Sequence, residues 1–217
     1  NEVGMARLST SLGAYLGAGE ALATKLEIVG RFYPQYFETE LSGGFGCRKR
    51  MGCPAAAPGV ITRAVYSRQE FGATVHAYGR NGLLEGYGDA KNQHLIPQIA
   101  LQAVSAPGGQ GKELDGLGGG GAAAANVGRE LAFRLANGYD AKADIKAGAK
   151  AARDWTVPTA VYVRAVAPEL REKDSVEDGV MVVNGRLMVG NTIGTPLAKT
   201  AVPLRAQYWS GQAWEQN

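Results

Sequence analysis

Three Asn-Gly dipeptides, Asn81-Gly82, Asn137-Gly138 and Asn184-Gly185, each border a run of β-forming residues. The tight turns that reverse an antiparallel hairpin need positive φ at both central positions, which Asn and Gly tolerate and branched residues do not. Punctuation of this kind predicts antiparallel β-structure. The clearest instance is Val180-Met-Val-Val-Asn-Gly-Arg-Leu-Met-Val189, which reads as two four-residue strands around a two-residue turn.

The rest of the chain agrees with that class. From Val60 the alternation becomes regular, with Phe71, Ala73, Val75 and Ala77 on one face and Thr74, His76 and Tyr78 on the other. Residues 99–104, 130–135 and 159–166 form further apolar strands. Near the N-terminus, Val3, Met5 and Leu8, then Tyr15-Leu-Gly-Ala-Gly19, then Leu26-Glu-Ile-Val29 are separated by glycine turns. In Val29-Gly-Arg-Phe-Tyr-Pro-Gln-Tyr-Phe37 the proline has no N–H for a ladder, so this stretch is an edge strand or the entry to one. Its Phe32, Tyr33, Tyr36 and Phe37 are expected to plug the core. The total is about nine to eleven strands, the range of a β-sandwich. The 31 glycines, well above the roughly 7% norm, fit many turns.

The expected fold is therefore all-β, an antiparallel β-sandwich of immunoglobulin-like or related type. Residues 105–128, which include Gly118 to Ala125, read as one long Gly/Ala-rich mobile loop. Residues 141–153 are alanine-rich, and Asp140 supplies a cap for a short helix there. The 217 residues and 45% apolar content suit a single β-rich region, or two packed sub-domains, 1–104 and 129–217, joined by that loop. With no initiator methionine and an end in mid-pattern, the chain reads as a fragment of a longer protein.

Composition narrows function mainly by exclusion. The charge of +3 and a basic run limited to Arg48-Lys49-Arg50 do not make a nucleic-acid footprint, and the run is expected to be a solvated loop. No stretch approaches the roughly 18 apolar residues of a membrane span. Gly108-Gly-Gln-Gly-Lys-Glu113 fails as a phosphate loop, because Glu113 stands where the magnesium-binding Ser or Thr belongs. Gly116-Leu-Gly-Gly-Gly-Gly121 has no strand-to-helix unit around it, so it is not a dinucleotide site. There is no Gly-x-Ser-x-Gly nucleophile elbow, and no cofactor is expected.

Cys47 and Cys53 lie in Gly46-Cys-Arg-Lys-Arg-Met-Gly-Cys-Pro54, a spacing that lets a disulfide close a small loop in an oxidising compartment. Zinc would need two more ligands, and His76 and His94 stand alone. Asp174, Glu177 and Asp178 form a weak calcium candidate that lacks alternating-ligand spacing. In the strand starting at Val202, Arg205, Gln207 and Trp209 share one parity against Val202, Leu204, Ala206 and Tyr208. Trp209, Trp214, Tyr208 and Arg205 are accordingly the candidate contact residues, with Trp209 on a polar face.

Several blocks together resemble a known family. Glu2-Val3-Gly4 with Tyr15-Leu16-Gly17, Val29-Gly-Arg-Phe-Tyr-Pro34, Gly185-Arg-Leu-Met-Val-Gly-Asn191, and Val202 through Tyr208-Trp-Ser-Gly-Gln-Ala-Trp214 are similar to the large domain of unknown function in MshQ-type proteins. Tyr66-Ser-Arg-Gln69 and Pro158-Thr-Ala-Val-Tyr-Val-Arg-Ala165 fall between them in the expected order. MshQ-type proteins are linked to mannose-sensitive haemagglutinin pili, a class of type IV pilus. The resemblance implies an exported, extracellular, cell-surface, pilus-associated domain, and the missing catalytic motifs lead to the expectation that it is not an enzyme. It would act in adhesion, at a pilus tip or in pilus assembly, with a pilus or surface protein, or a glycan, as partner. The alternatives are a polysaccharide-active enzyme using acids among Asp89, Asp154, Asp174, Glu177 and Asp178, or a passive stalk.

Overall fold

The structure, a computed structural model, describes residues 4–11, 23–32, 34–84, 99–114, 117–118, 128, 131–135, 157–167, 175–195 and 199–217, with 4–11, 23–32, 117–118 and 131 described by backbone alone. These residues form an all-β sandwich. One layer has β3 (Tyr36–Ser42), β6 (Glu70–Gly79), β11 (Leu131–Leu135) and β10 (Leu117–Gly118) in that order, with β7 (Gly82–Leu83) also on β6. The other runs β4 (Phe45–Gly46), β5 (Arg63–Tyr66), β13 (Asp178–Val183), β12 (Thr159–Val166), β8 (Ala100–Val104) and β9 (Glu113–Leu114). Ladders are antiparallel except β13 with β5, which is parallel. A separate antiparallel pair joins β1 (Gly4–Ser11) to β2 (Ala23–Phe32).

Alternation on β6 carries through to the packing. Phe71, Ala73, Val75 and Ala77 are buried and the intervening residues, His76 included, are half-buried. Between the layers Leu41, Phe71, Ala73, Phe133 and Leu135 meet Val65, Ala103, Val161, Val163, Val180 and Val182. Phe37, Val75, Ala77 and Leu84 continue this core against Ile99, Ala165 and Ala167. Of the predicted aromatic plug, Phe37 is fully buried while Tyr36 stacks on Tyr78 at 5.0 Å, and the side chains of Phe32 and Tyr33 lie outside the described residues. The two layers are also stitched by polar links, since Leu41 N–H donates to the Asp178 carboxylate at 2.9 Å and Thr39 and Val176 exchange backbone bonds with the opposite segment.

The six-stranded layer is covered on its outer face too. Ala64, Val104, Tyr162, Met181 and Val183 pack there beneath Met51, Ile61 and Tyr208. A strand buried on both faces reads as a continuous apolar run rather than an alternating one. That is why Val180 through Val183 are all buried.

This burial overturns the predicted hairpin at Asn184-Gly185. Both edges of β13 are occupied by β5 and β12, so the chain leaves that layer at Asn184. It continues as β14 (Gly185–Val189), which pairs with β15 (Leu204–Trp209), itself paired with β16 (Trp214–Gln216). Gly185 is needed here for closeness rather than for positive φ: a Cβ on it would sit 2.3 Å from the Tyr66 ring. At Asn81-Gly82 a hairpin does form, but Gly79 pairs with Gly82, so Arg80 and Asn81 make the turn and Gly82, at φ 119°, follows it.

Part of the predicted glycine-rich loop is a hairpin among the described residues. Residues 105–114 fold back as the β8–β9 hairpin, closed by Ser105 N–H to the Lys112 carbonyl at 3.0 Å. The described strands number sixteen, more than predicted, because several are two-residue pairings with no sequence period to announce them. Asn137-Gly138, the candidate helix 141–153 and residues 15–19 lie outside the described residues.

Candidate functional site

The three-stranded sheet β14–β16 carries the predicted contact residues on two different faces. Register places Arg186, Met188, Arg205, Gln207, Trp209, Trp214 and Gln216 on one face and Gly185, Leu187, Val189, Leu204, Ala206, Tyr208 and Glu215 on the other. Trp209 and Trp214 are direct cross-strand partners, with ring centroids 5.5 Å apart at 59°. The Arg186 guanidinium stacks 4.3 Å above the Trp214 ring while its Nε donates to the Gln207 side chain at 2.8 Å. A planar cation held over an indole by a second bond is a rigid unit, because both stacking and hydrogen bonding fix the same plane. Arg205 stands exposed further along this face. The two tryptophans are half-buried, so each offers part of its surface outward.

Tyr208 belongs to the opposite face and is 3% exposed. Burial pushes its phenol pKa up, with the neighbouring Glu215 adding to the effect. It is a packing residue, which removes it from the contact surface proposed from sequence. Its parity was the readable signal: it shares the apolar face of Val202, Leu204 and Ala206, opposite the polar face of Trp209.

The disulfide loop holds this sheet in place. Cys47 and Cys53 are bonded. Within the loop, Arg50 forms an ion pair with Glu215, and Arg48 Nε donates to the Asn217 side chain at 3.3 Å. Asn217 in turn donates to the Tyr66 hydroxyl at 2.8 Å. The basic run predicted to be merely solvated is therefore exposed but engaged, clasping the last strand.

Glu177 is 8% exposed, and its side chain is fully enclosed. It accepts from Arg164 Nε at 2.6 Å and from the backbone N–H groups of Gly108 and Gly109 at 2.6 and 3.2 Å. The glycine loop does present amides to an anion, and that anion is the protein's own carboxylate. Asp178 caps Leu41 N–H and the N–H of Gly179. Asp89, His94, Asp154 and Asp174 lie outside the described residues. Among the described residues no group of three or more His, Cys, Asp or Glu side chains is placed to hold a metal ion. His76 faces Glu40 at 3.5 Å on β6, far in sequence from the tryptophan face. Among the described residues no helix is long and apolar enough to cross a membrane.

Sequence reasoning set Gln207 beside Trp209 but missed Arg186 and Met188 as members of the tryptophan face. The signal was present in the period of two along 185–189, but pairing with β15 instead of β13 is a tertiary fact.

Residues 2–179 match the family model described as DUF6701, third domain. No curated protein and no solved structure matches the chain. The sheet β14–β16 follows the matched residues.

Proposed function

We propose, for a chain that belongs to the DUF6701 third-domain family, that it is a non-catalytic contact domain at the cell surface, acting in a type IV pilus-associated protein of MshQ-like type. The observation that carries this reading is the Arg186–Trp214–Trp209 stack on an outward sheet face. Aromatic rings with a fixed guanidinium suit recognition of a protein or glycan, since the rings supply area at small entropy loss and Arg186 and Arg205 supply directed donors. The disulfide supports an oxidising setting for the domain. The sequence resemblance to MshQ-type proteins supports the pilus.

The test is retention of the purified chain on piliated cells and on pilus-deficient cells of the same source. Retention should require pili and fall at least tenfold in Trp214→Ala and in Arg186→Ala, with unchanged circular dichroism. Equal retention on both cell types, or retention indifferent to both substitutions, overturns the reading.

A further inference from the structure

We infer that β14 is a self-pairing edge through which two copies of this chain join as an antiparallel, two-fold symmetric dimer. The phase of the β14–β15 ladder follows from two bonds: Trp209 N–H donates to the Asn184 carbonyl at 2.9 Å and Gly190 N–H to the Pro203 carbonyl at 2.8 Å. Even-numbered residues therefore face β15. The N–H and C=O groups of Gly185, Leu187 and Val189 point away from it, along a strand that is terminal in its sheet among the described residues.

Natural edges are blunted by proline, charged side chains, bulges or short length. Strand β14 has no proline and no bulge, its one charge, Arg186, is drawn over Trp214, and its five pairs with β15 run in unbroken register. It is exposed along its whole length, with Leu187 71% and Val189 63% exposed, and Leu204 beside Val189 65% exposed. These side chains extend the same sheet face whose inner end, at Tyr208, packs against the core, so the apolar face continues past the body of the domain.

A second copy is the occupant because the strand is complementary to itself. Pairing about Leu187 sets Leu187 against Leu187 and Gly185 against Val189 of the other copy. Beside Gly185 lies a cleft of about 300 Å³ lined by Tyr66, Ser67, Gly185, Arg186, Leu187 and Ala206. The Tyr66 ring takes the space over Gly185, and the incoming Val189 lies against that ring at the mouth of the cleft. On the opposite face Arg186 then meets Met188, so no like charges are opposed. Six backbone hydrogen bonds would form, two at each of the three outward-facing positions, and two three-stranded sheets would become one of six. The contact is a single strand pair, small beside the roughly 1,600 Å² of a standard interface, so a weak, concentration-dependent dimer is expected.

Sedimentation velocity of the full chain from about 5 µM to 1 mM tests this. A concentration-dependent dimer is expected, weakened at least tenfold by Leu187→Lys and by Val189→Lys, both exposed positions whose melting temperature should not change. Under mild oxidation Leu187→Cys should cross-link to itself, because the two copies of this position face each other about 5.5 Å apart. A chain monomeric at 1 mM, a dimer indifferent to both lysines, or absence of the Leu187→Cys cross-link overturns the proposal. The tryptophan face is on the other side of the sheet, so these variants leave pilus retention by a monomer as it was and the two ideas fail separately.

Discussion

At the scale of single residues, closeness matters more than turn geometry. Gly185→Ala forces a methyl into the Tyr66 ring, and a well-packed site absorbs such an insertion at about 1–3 kcal/mol. Chemical denaturation should therefore show a lowered midpoint, whereas Gly82→Ala, where nothing lies within 4 Å, acts only through its φ of 119°. Glu177 is the second sensitive position. Removing it leaves Arg164 as a buried charge, so Glu177→Ala should lose about 3–5 kcal/mol, and pairing it with Arg164→Met should restore much of that. Titration gives a third expectation. Burial raises the pKa of Tyr66, Tyr162 and Tyr208, so the folded chain holds these protons where the unfolded chain, near pKa 10, has begun to lose them. Their contribution is complete below about pH 10 and is lost as pH rises through the folded values. Melting temperatures recorded from pH 8 to 11 should fall steeply at the top of that range, and less so for Tyr208→Phe.

At the scale of elements, the loop 47–53 is a fastener for the C-terminal hairpin. A loop this short loses about 2 kcal/mol of denatured-state constraint when opened. Reduction should lower the melting temperature, and amide exchange should quicken first in β15 and β16, where Arg48 and Arg50 reach Asn217 and Glu215. Uniform quickening across β6 and β12 would count against a local role. The elements also show what a sequence conveys. Strand β6 was legible because one face is core and the other half-buried, so its period of two survives. The run 180–189 was legible as strand but misleading as a pair: Asn-Gly signals a reversal, and nothing local reveals that β13 already has neighbours on both edges. Tyr208 and Trp209 were separable by parity, yet that the apolar face is covered only at Tyr208 and left exposed at Val202 and Leu204 depended on where Met51 and Met181 lie. Arg186 joined the candidate site only through its pairing with Gln207.

At the scale of the whole molecule, the family match ends inside β13, a strand at the centre of the six-stranded layer. A chain cut after residue 179 would lack Val180 and Val182, leave their neighbours Val65 and Val161 without cover, and should not fold. A chain cut after residue 184 keeps the sandwich but strips Tyr208 from Met181, Val183 and Val104. It should bind a hydrophobic dye and precipitate at concentrations where the full chain stays dispersed. The all-β class was readable from turn chemistry and alternation alone, whereas a layer covered on both sides was not, since the cover comes from a loop and a hairpin distant in sequence.

The passage at Asn184 also sets how tension would travel. A pull on the C-terminal hairpin along β13 meets three register pairs to β5 and five to β12, and these ladders must slide together rather than open one bond at a time. A tether anchored in this way resists steady drag far better than it resists peeling from a free edge.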